Sequence, residues 1–155
     1  MSTSKSTTTH YRRPGAVTRH VLNPLVVLLT LARISVWGSR VLEARGRTSG
    51  QLRRVPVNLL HHDGRSYLVA PRGETDWVRN VRADEGRLDL LLGRRRSHHV
   101  ATELDDVDKP DVLRAYLARW KAEVGIFFDG VGADSSDAEL LAIAPRHPVF
   151  VLADA

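Results

Sequence analysis

A polar turn in the first half of the chain has the composition of an anion-binding site. Residues 46–51 read Gly-Arg-Thr-Ser-Gly-Gln, and Arg53 and Arg54 follow at once. Glycines let successive backbone N–H groups converge on oxygen atoms, hydroxyls add donors, and guanidinium groups neutralise negative charge. The order matches neither a Walker A loop nor G-x-G-x-x-G. The turn predicts a cradle for phosphate or carboxylate oxygens, with a plain connection between strands as the alternative.

A second segment, residues 69–80, ends a predicted strand and begins a predicted helix. The N-terminus of a helix attracts anions through its unpaired N–H groups and its dipole. Arg72 and Gly73 lie just before this terminus, and Arg79 lies one turn into the helix. Trp77 is interpreted as an anchor in the core, with the wall of a site for a flat ring as the alternative.

Composition excludes several kinds of chemistry and indicates an anionic partner. The chain has 155 residues and no cysteine, which excludes disulfides, thiolate nucleophiles, iron–sulfur clusters and cysteine-based zinc sites. Residues 1–100 contain 18 basic and 7 acidic groups, whereas residues 101–155 contain 5 and 11. Nearly all the basic residues are arginine, whose planar fork matches phosphate and carboxylate oxygens. We expect an anionic ligand for the first two thirds, with solvated surface arginines as the alternative.

The N-terminal part of the chain is expected to carry no chemistry. Residues 1–20 are rich in Ser and Thr and lack periodicity, which predicts a disordered tail. The apolar run at 21–36 is short and interrupted, so it predicts neither a transmembrane helix nor, without an A-x-A site, a signal peptide. Asn23 and Pro24 instead predict the start of a helix that ends at Gly38. We expect a cytoplasmic protein, and leave open whether this helix covers the site, forms a dimer or contacts a membrane surface.

The rest of the chain alternates predicted strand pairs with helices. Residues 54–60 alternate in polarity and predict a strand, in which Pro56 requires an edge, a bulge or a neighbour other than a strand. Asp63-Gly64 predicts a hairpin turn. The predicted order continues with a strand at 66–70, a helix from Thr75 to about Ala83, strands at 88–92 and 100–104 joined by a basic turn at 93–97, a helix after Asp108, a loop at 125–137 and a strand at 148–152.

This order indicates the fold class. Antiparallel strands made by hairpins, with helices packed outside, favour an α+β barrel or open sheet over a doubly wound α/β fold. The 43% of apolar residues is enough for a core of its own. We therefore expect one domain over residues 21–155.

Taken together, the two polar segments resemble the deazaflavin-dependent nitroreductase family. The resemblance rests on residues 46–57, the Asp63-Gly64 hairpin, residues 69–73, Trp77 and Asn80, and extends from about Leu25 to Leu152. It implies a split antiparallel β-barrel like that of pyridoxamine 5′-phosphate oxidase. It also implies that this barrel binds the 8-hydroxy-5-deazaflavin coenzyme (factor 420). The cofactor-binding residues that it implies are Arg47, Thr48, Ser49, Gly50, Gln51, Arg53, Pro56, Val57, Val69, Ala70, Pro71, Arg72, Gly73, Trp77 and Asn80.

The resemblance implies an oxidoreductase that transfers a hydride from the reduced coenzyme to a quinone, a nitro compound or an activated alkene. Two departures bear on this. Thr48 stands where members often have lysine, so Arg53, Arg54 or Arg72 would supply the missing charge, and Phe127 and Phe128 stand where nitroreductases place tyrosines. The alternatives are an FMN-binding split-barrel oxidoreductase and a non-catalytic deazaflavin-binding protein.

Other residues predict less. No catalytic residue is assigned, because Tyr67 and Tyr116 are interpreted as core residues and water is expected to deliver the proton. His61-His62 and His98-His99 are adjacent on strands and point to opposite faces, so no metal site is expected. The partner is expected to be a small-molecule electron acceptor and not a nucleic acid, and the protein is expected to be a monomer or a homodimer.

Overall fold

Six antiparallel strands and three α-helices make up the part of the chain that the computed structural model describes, residues 38–155. The expected tail at 1–20 and the helix expected before Gly38 lie outside the described residues. The elements are β1 (Ser39–Arg45), β2 (Leu52–His62), β3 (Arg65–Val69), α1 (Asp76–Ala83), β4 (Arg87–Leu92), β5 (Arg95–Glu103), α2 (Lys109–Val124), α3 (Asp137–Ile143) and β6 (Val149–Asp154). The strands close into a barrel in the order β1-β2-β3-β6-β5-β4.

The Asp63-Gly64 turn joins β2 to β3, which confirms the predicted hairpin. Asp63 and Gly64 have φ values of 48° and 74°, the pair of left-handed conformations found in a type I′ turn. The turn sets a register that pairs Leu59 with Leu68. Both leucines are buried in the same apolar cluster inside the barrel.

Strand β2 has two neighbours along only part of its length. All of residues 52–58 pair with β1, but only residues 59–62 pair with β3. The first seven residues of β2 therefore form an edge inside an otherwise closed barrel. Pro56 lies in this stretch, opposite Val41, so the edge position expected for this proline is confirmed.

The protein has two apolar cores among the described residues. One fills the barrel and includes Val78 and Val81 of α1, the residues predicted to form the buried stripe of that helix. The other packs α2 and α3 against strands β2, β3 and β6. The largest side chains of this second core are fully buried, namely Trp120, Tyr116 and Phe128. The helical layer thus rests on the strands that border the edge of β2.

Two elements are absent from the sequence prediction. Residues 41–44 of β1 are all buried, Glu43 included, so the strand lacks the polar–apolar alternation that reveals half-buried strands. Helix α3 begins inside the loop expected at 125–137. Its N-cap is Ser136, whose Oγ accepts a hydrogen bond from the backbone N–H of Glu139 at 3.2 Å. The pattern Ser-x-x-Glu is the sequence signal for such a helix start.

The basic turn expected at 93–97 is wrong in length. Only Gly93 and Arg94 form the turn, and β5 already begins at Arg95. The Nη1 group of Arg96 donates hydrogen bonds to Glu43 at 2.6 Å and to Asp89 at 2.5 Å. Residues 95–97, which have the composition of a solvated loop, are therefore part of the sheet, where cross-strand ion pairs stabilise them.

Gly86 is a position where an added side chain should unfold the protein. It has a φ of +83°, and a Cβ there would lie 2.1 Å from the backbone oxygen of Ala101. The backbone cannot move aside, because Gly86 donates to the oxygen of Val81 and accepts from the N–H of Ala101, both at 2.8 Å. We expect Gly86→Ala to lower the free energy of unfolding by about 3–5 kcal/mol, measured by urea denaturation.

Gly64→Ala is the matched control for this substitution. Gly64 has a similar φ of +74°, but nothing lies within 4 Å of its Cβ position. It should therefore cost only the roughly 1–2 kcal/mol of the left-handed backbone conformation. Equal losses for the two variants would show that the contact with Ala101 is unimportant.

Candidate functional site

A cavity of about 1320 Å³ opens along the unpaired edge of β2. Its lining comes from the turn after β1, from β2, from residues 69–72 and from the start of α1. Twelve of the fifteen residues expected to bind the cofactor line it: Arg47, Thr48, Ser49, Arg53, Pro56, Val57, Val69, Ala70, Pro71, Arg72, Trp77 and Asn80. Gly50, Gln51 and Gly73 do not line it; they shape the two turns that do.

The turn at 46–51 is held by its own backbone. Gly46 donates to the oxygen of Gln51 at 2.8 Å, Gly50 donates to the oxygen of Gly46 at 2.9 Å, and the N–H of Gln51 donates to Ser49 Oγ at 3.2 Å. Gly50 has a φ of +71°, which glycine adopts without strain. The backbone N–H groups of Gly46, Gly50 and Gln51 thus donate within the turn. The hydrogen-bond donors for a ligand therefore come more from side chains than from these backbone N–H groups, which the sequence had suggested.

Asn80 of α1 fixes this turn in place. Its Oδ1 accepts hydrogen bonds from the backbone N–H of Arg47 at 3.2 Å and from Arg47 Nη1 at 2.8 Å. Asn80 is only 4% exposed, while Nη2 of Arg47 forms an ion pair with the exposed Asp76 at 3.2 Å. The two segments singled out from the sequence are thus joined directly by hydrogen bonds.

The arginines around the cavity divide into committed and available groups. Arg54 donates to Glu43 at 2.7 Å, so it does not supply the charge that Thr48 lacks. Within residues 38–155, no carboxylate pairs with Arg53 or Arg79, and both line the cavity. Arg72 lies 5.1 Å from the centre of the Phe127 ring. Arg53, Arg72 and Arg79 are therefore the cations that the site offers to an anion.

Glu43 remains ionised although its side chain is buried. The Arg96 guanidinium, followed by that of Arg54, holds the pKa of Glu43 below its ordinary value against the opposing effect of burial. A carboxylate that is both buried and doubly paired stabilises the sheet only while both arginines stay in place. Arg54 is therefore a structural residue at the margin of the cavity.

Thr75 lines the cavity and carries a hydroxyl that lacks a hydrogen-bond partner within residues 38–155. It occupies the N-cap position of α1, as predicted, but its side chain makes no capping hydrogen bond. Its Oγ1 is buried and has no hydrogen-bond partner among the described residues. Buried hydroxyls are normally satisfied, so this one fits a ligand that supplies the missing partner.

Trp77 combines the two roles between which its sequence position left a choice. Its ring is half-buried and tilted against Phe150 of the interior core, with 5.8 Å between ring centres. It also lines the cavity. The indole is thus a core anchor whose outer surface is available to a flat ring.

The two phenylalanines that replace the family's tyrosines have different environments. Phe128 is fully buried and stacks on His147 with 4.2 Å between ring centres. Phe127 lies beneath Arg72. Neither lines the cavity, so this segment presents its aromatic rings to the protein and not to the site.

Residues that the sequence did not indicate complete the cavity. Leu42, Ala44 and Val55 give it an apolar floor. At the end near α2 it is lined by Ser39, Asn58, Tyr116, Glu123 and Val124. Tyr116 is a core residue, as interpreted, yet it also reaches the site. Asn58 carries the available signal, since it is an uncharged polar residue between Val57 and Leu59.

His61 and His62 have different neighbours. His61 contacts Ser66 and His62 contacts Asp111, at 3.0 Å and 2.7 Å. His62 lies near Asp63 and Asp111 in a group whose ligand atoms are all within 4.8 Å of one another. Ion pairing of the exposed carboxylates with His62 accounts for this group.

Comparison with known proteins decides the family. The model of the F420H(2)-dependent quinone reductase family matches residues 5–124. The chain belongs to this family. Its coenzyme is therefore the reduced deazaflavin, which confirms the cofactor predicted from residues 46–80. No curated protein matches the sequence.

Solved structures confirm the fold. The F420-H2 dependent reductase FDR-A is 18% identical over 75% of this chain and 94% of its own, with a TM-score of 0.54. A domain-swapped dimer is 16% identical over 91% and 100%, with a TM-score of 0.55. A Clostridium acetobutylicum protein related to general stress protein 26, of the pyridoxinephosphate oxidase family, is 14% identical over 80% and 78%, with a TM-score of 0.50. The chain is a split barrel, as predicted.

Two expectations about the setting of the protein stay predictions. No helix within residues 38–155 is long and apolar enough to cross a membrane. The cytoplasmic location stays the prediction, and contact with a membrane surface stays the open alternative.

The cavity fits the deazaflavin coenzyme chemically. A flat ring requires apolar surface, which Leu42, Val55 and Trp77 provide, and an anionic tail requires cations, which Arg53 and Arg79 provide.

Asn80→Ala should loosen the turn that borders the cavity. The substitution leaves the backbone N–H of Arg47 without its acceptor, so we expect a loss of about 1–3 kcal/mol in the free energy of unfolding, measured by urea denaturation. Asn80→Asp keeps an acceptor oxygen next to Arg47 and should lose clearly less. Equal losses would show that the hydrogen bonds to Arg47 do not hold the turn.

His147 should make the protein less stable in mild acid. Burial lowers the pKa of His147, although the nearby backbone of Ala70 and Pro71 opposes this. Its neutral form is therefore favoured by folding, and stability present above pH 6.5 is lost as the pH falls below that value. The midpoint of urea denaturation should decrease from pH 7.5 to 5.5, and His147→Phe should reduce this decrease.

His62 provides the control, because its pKa is shifted in the opposite direction to that of His147. The hydrogen bond to Asp111 raises the pKa of His62, so its contribution is present below pH 6.5 and is lost as the pH rises through its higher folded value. His62→Asn should enlarge the decrease in acid. An unchanged decrease in His147→Phe would exclude the buried imidazole as its cause.

Proposed function

We propose that this protein binds the reduced 8-hydroxy-5-deazaflavin coenzyme along the open edge of β2 and transfers a hydride from it to a quinone. Nitro compounds and activated alkenes are the further acceptor classes, since both accept a hydride at an electron-poor atom. The coenzyme supplies the hydride chemistry, and the protein supplies binding, orientation and a site protected from water.

The observation that carries this proposal is the convergence of two distant segments on one cavity. Segments 46–57 and 69–80 both contribute lining residues to the cavity and are linked by the hydrogen bonds between Arg47 and Asn80. The family resemblance based on these two segments implied that they bind one shared ligand. Their meeting around a single space supports that implication.

The distribution of charge supports an orientation of the ligand. Arg53 and Arg79, together with the hydroxyl of Thr48, would hold the anionic tail. The apolar stretch of β2 at Val55–Val57 and the facing residues Val69–Pro71 would lie along the ring. Pro56 suits this place, because an unpaired backbone N–H on an edge facing an apolar ring would remain unsatisfied.

Charge reversal of Arg53 tests the tail-binding role. Arg53→Glu should weaken coenzyme binding by at least ten-fold, measured by quenching of deazaflavin fluorescence, because a cation in contact with the tail becomes an anion. Arg65→Glu is the matched control: Arg65 is exposed on β3, does not line the cavity, and produces the same change in net charge. Equal weakening in both variants would indicate a general effect of surface charge.

Turnover with menadione separates the proposed enzyme from its alternatives. The wild-type protein should oxidise the reduced coenzyme only when the quinone is present. Tight coenzyme binding without turnover over a panel of quinones, nitro compounds and activated alkenes would indicate a non-catalytic binding protein. A yellow purified protein with the absorbance of FMN would favour the flavin alternative.

A further inference from the structure

One end of the cavity is polar without being basic. We call this end the polar recess, and define it as Ser39, Asn58, Tyr116 and Glu123. Ser39 and Asn58 are opposite each other in the ladder between β1 and β2, and the other two residues project from α2. The roles proposed for the arginines leave the polar recess without a function.

Tyr116 is the rigid member of the polar recess. Its ring lies 5.0 Å from the centre of the Trp120 ring and 6.2 Å from that of Phe128, and only 2% of the residue is exposed. The amide of Asn58, which also lines the cavity, acts on the Tyr116 hydroxyl as a hydrogen-bond donor and lowers its pKa. Packing against the rings of Trp120 and Phe128 gives the phenol one fixed direction.

The phenol also stays protonated in this environment. Burial raises the pKa of Tyr116 to about 12, the amide of Asn58 opposes this rise, and the negative charge of Glu123 adds to it. An ordinary phenol has a pKa of about 10. Tyr116 therefore holds its proton more firmly than a phenol-like product oxygen does, so it donates a hydrogen bond to such an oxygen without losing the proton.

We propose that Tyr116, oriented by Asn58, donates a hydrogen bond to the acceptor oxygen that becomes negatively charged during hydride transfer. This inference rests on the proposed function, and gives the acceptor a place at the polar recess. Donors aimed at the position where charge develops stabilise the transition state more than the ground state. Tyr116 is in this sense a catalytic residue and Asn58 a positioning residue.

The step balances with the reactants already named. The quinone gains one hydride, that is one hydrogen nucleus and two electrons, and the coenzyme is oxidised by the same amount. One quinone oxygen then carries a negative charge, which the hydroxyl of Tyr116 stabilises. Water protonates this oxygen to give the hydroquinone, and the proton that the oxidised coenzyme releases neutralises the hydroxide left behind, so no further oxidant or reductant is needed.

Tyr67 is the matched control within the same core. It is a second buried tyrosine, 7% exposed, in the cluster that contains Tyr116. It does not line the cavity. Tyr67→Phe and Tyr116→Phe each remove one buried hydroxyl, so a difference between them reports on the cavity and not on the loss of a polar group from the core.

The experiment compares both variants with the wild type over a series of quinones whose hydroquinones differ in pKa. Tyr116→Phe should bind the coenzyme within about two-fold of the wild type and lose on the order of 10²-fold in kcat. The loss should grow as the hydroquinone becomes more basic, because a more basic oxygen gains more from the donor. Asn58→Leu should show the same trend with a smaller loss, and Tyr67→Phe should retain wild-type kcat.

Each failure has a distinct signature. A loss in Tyr116→Phe that is the same for every quinone, or equal in Tyr67→Phe, would overturn the catalytic role and indicate a structural one. Unchanged kcat in Tyr116→Phe would overturn it as well, while wild-type turnover would still support the proposed function. A wild type that binds no coenzyme and reduces no quinone would overturn both.

Discussion

The structure depends on strand β2, one edge of which is left unpaired over more than half of the strand's length. Residues 52–58 of β2 pair with β1 and with nothing on the other side, because β3 joins β2 only near the hairpin. An unpaired strand edge invites association with other strands unless it is protected. Here the edge contains Pro56 and faces a cavity closed by residues 69–72 and α1. The gap that the topology leaves in the barrel is therefore also the site.

Keeping that gap open requires the neighbouring strands to be held firmly. Glu43 does this on β1, where it joins Arg54 of β2 and Arg96 of β5. Removing one partner from such a buried pair leaves an uncompensated charge, which costs far more than a surface ion pair contributes. The abundant arginine of this chain thus has two uses. Some guanidinium groups stabilise the barrel, and others face the ligand.

Local signals in the sequence were enough to predict most of the fold. The Asp63-Gly64 turn, the alternation at 54–60 and the helix after Asp108 follow from patterns that extend over only a few residues. Strand β1 escaped prediction because its buried carboxylate is stabilised by arginines 11 and 53 residues away. Helix α3 had a signal in Ser136 and Glu139, but no long periodic segment to draw attention to it.

The candidate site was predictable to about the same extent as the fold, because most of its lining also lies in short contiguous motifs. Two short motifs indicated most of the lining, since each is contiguous in sequence. The polar recess was not indicated, because Ser39, Asn58 and Tyr116 come from three elements and meet only after the barrel and α2 have packed. Similarly, nothing in the sequence distinguishes Arg53 from Arg54. Only the side of β2 on which each lies decides which one is free.

The link between Arg47 and Asn80 has a consequence for dynamics. The turn at 46–51 and helix α1 share a buried acceptor, so local opening of one removes a hydrogen bond from the other, and the two should exchange their amide protons as one cooperative unit. A ligand that occupies the cavity binds only the closed form of that unit. Slowed amide exchange would then extend beyond the contact residues to Val78 and Val81, which carry the effect into the interior of the barrel.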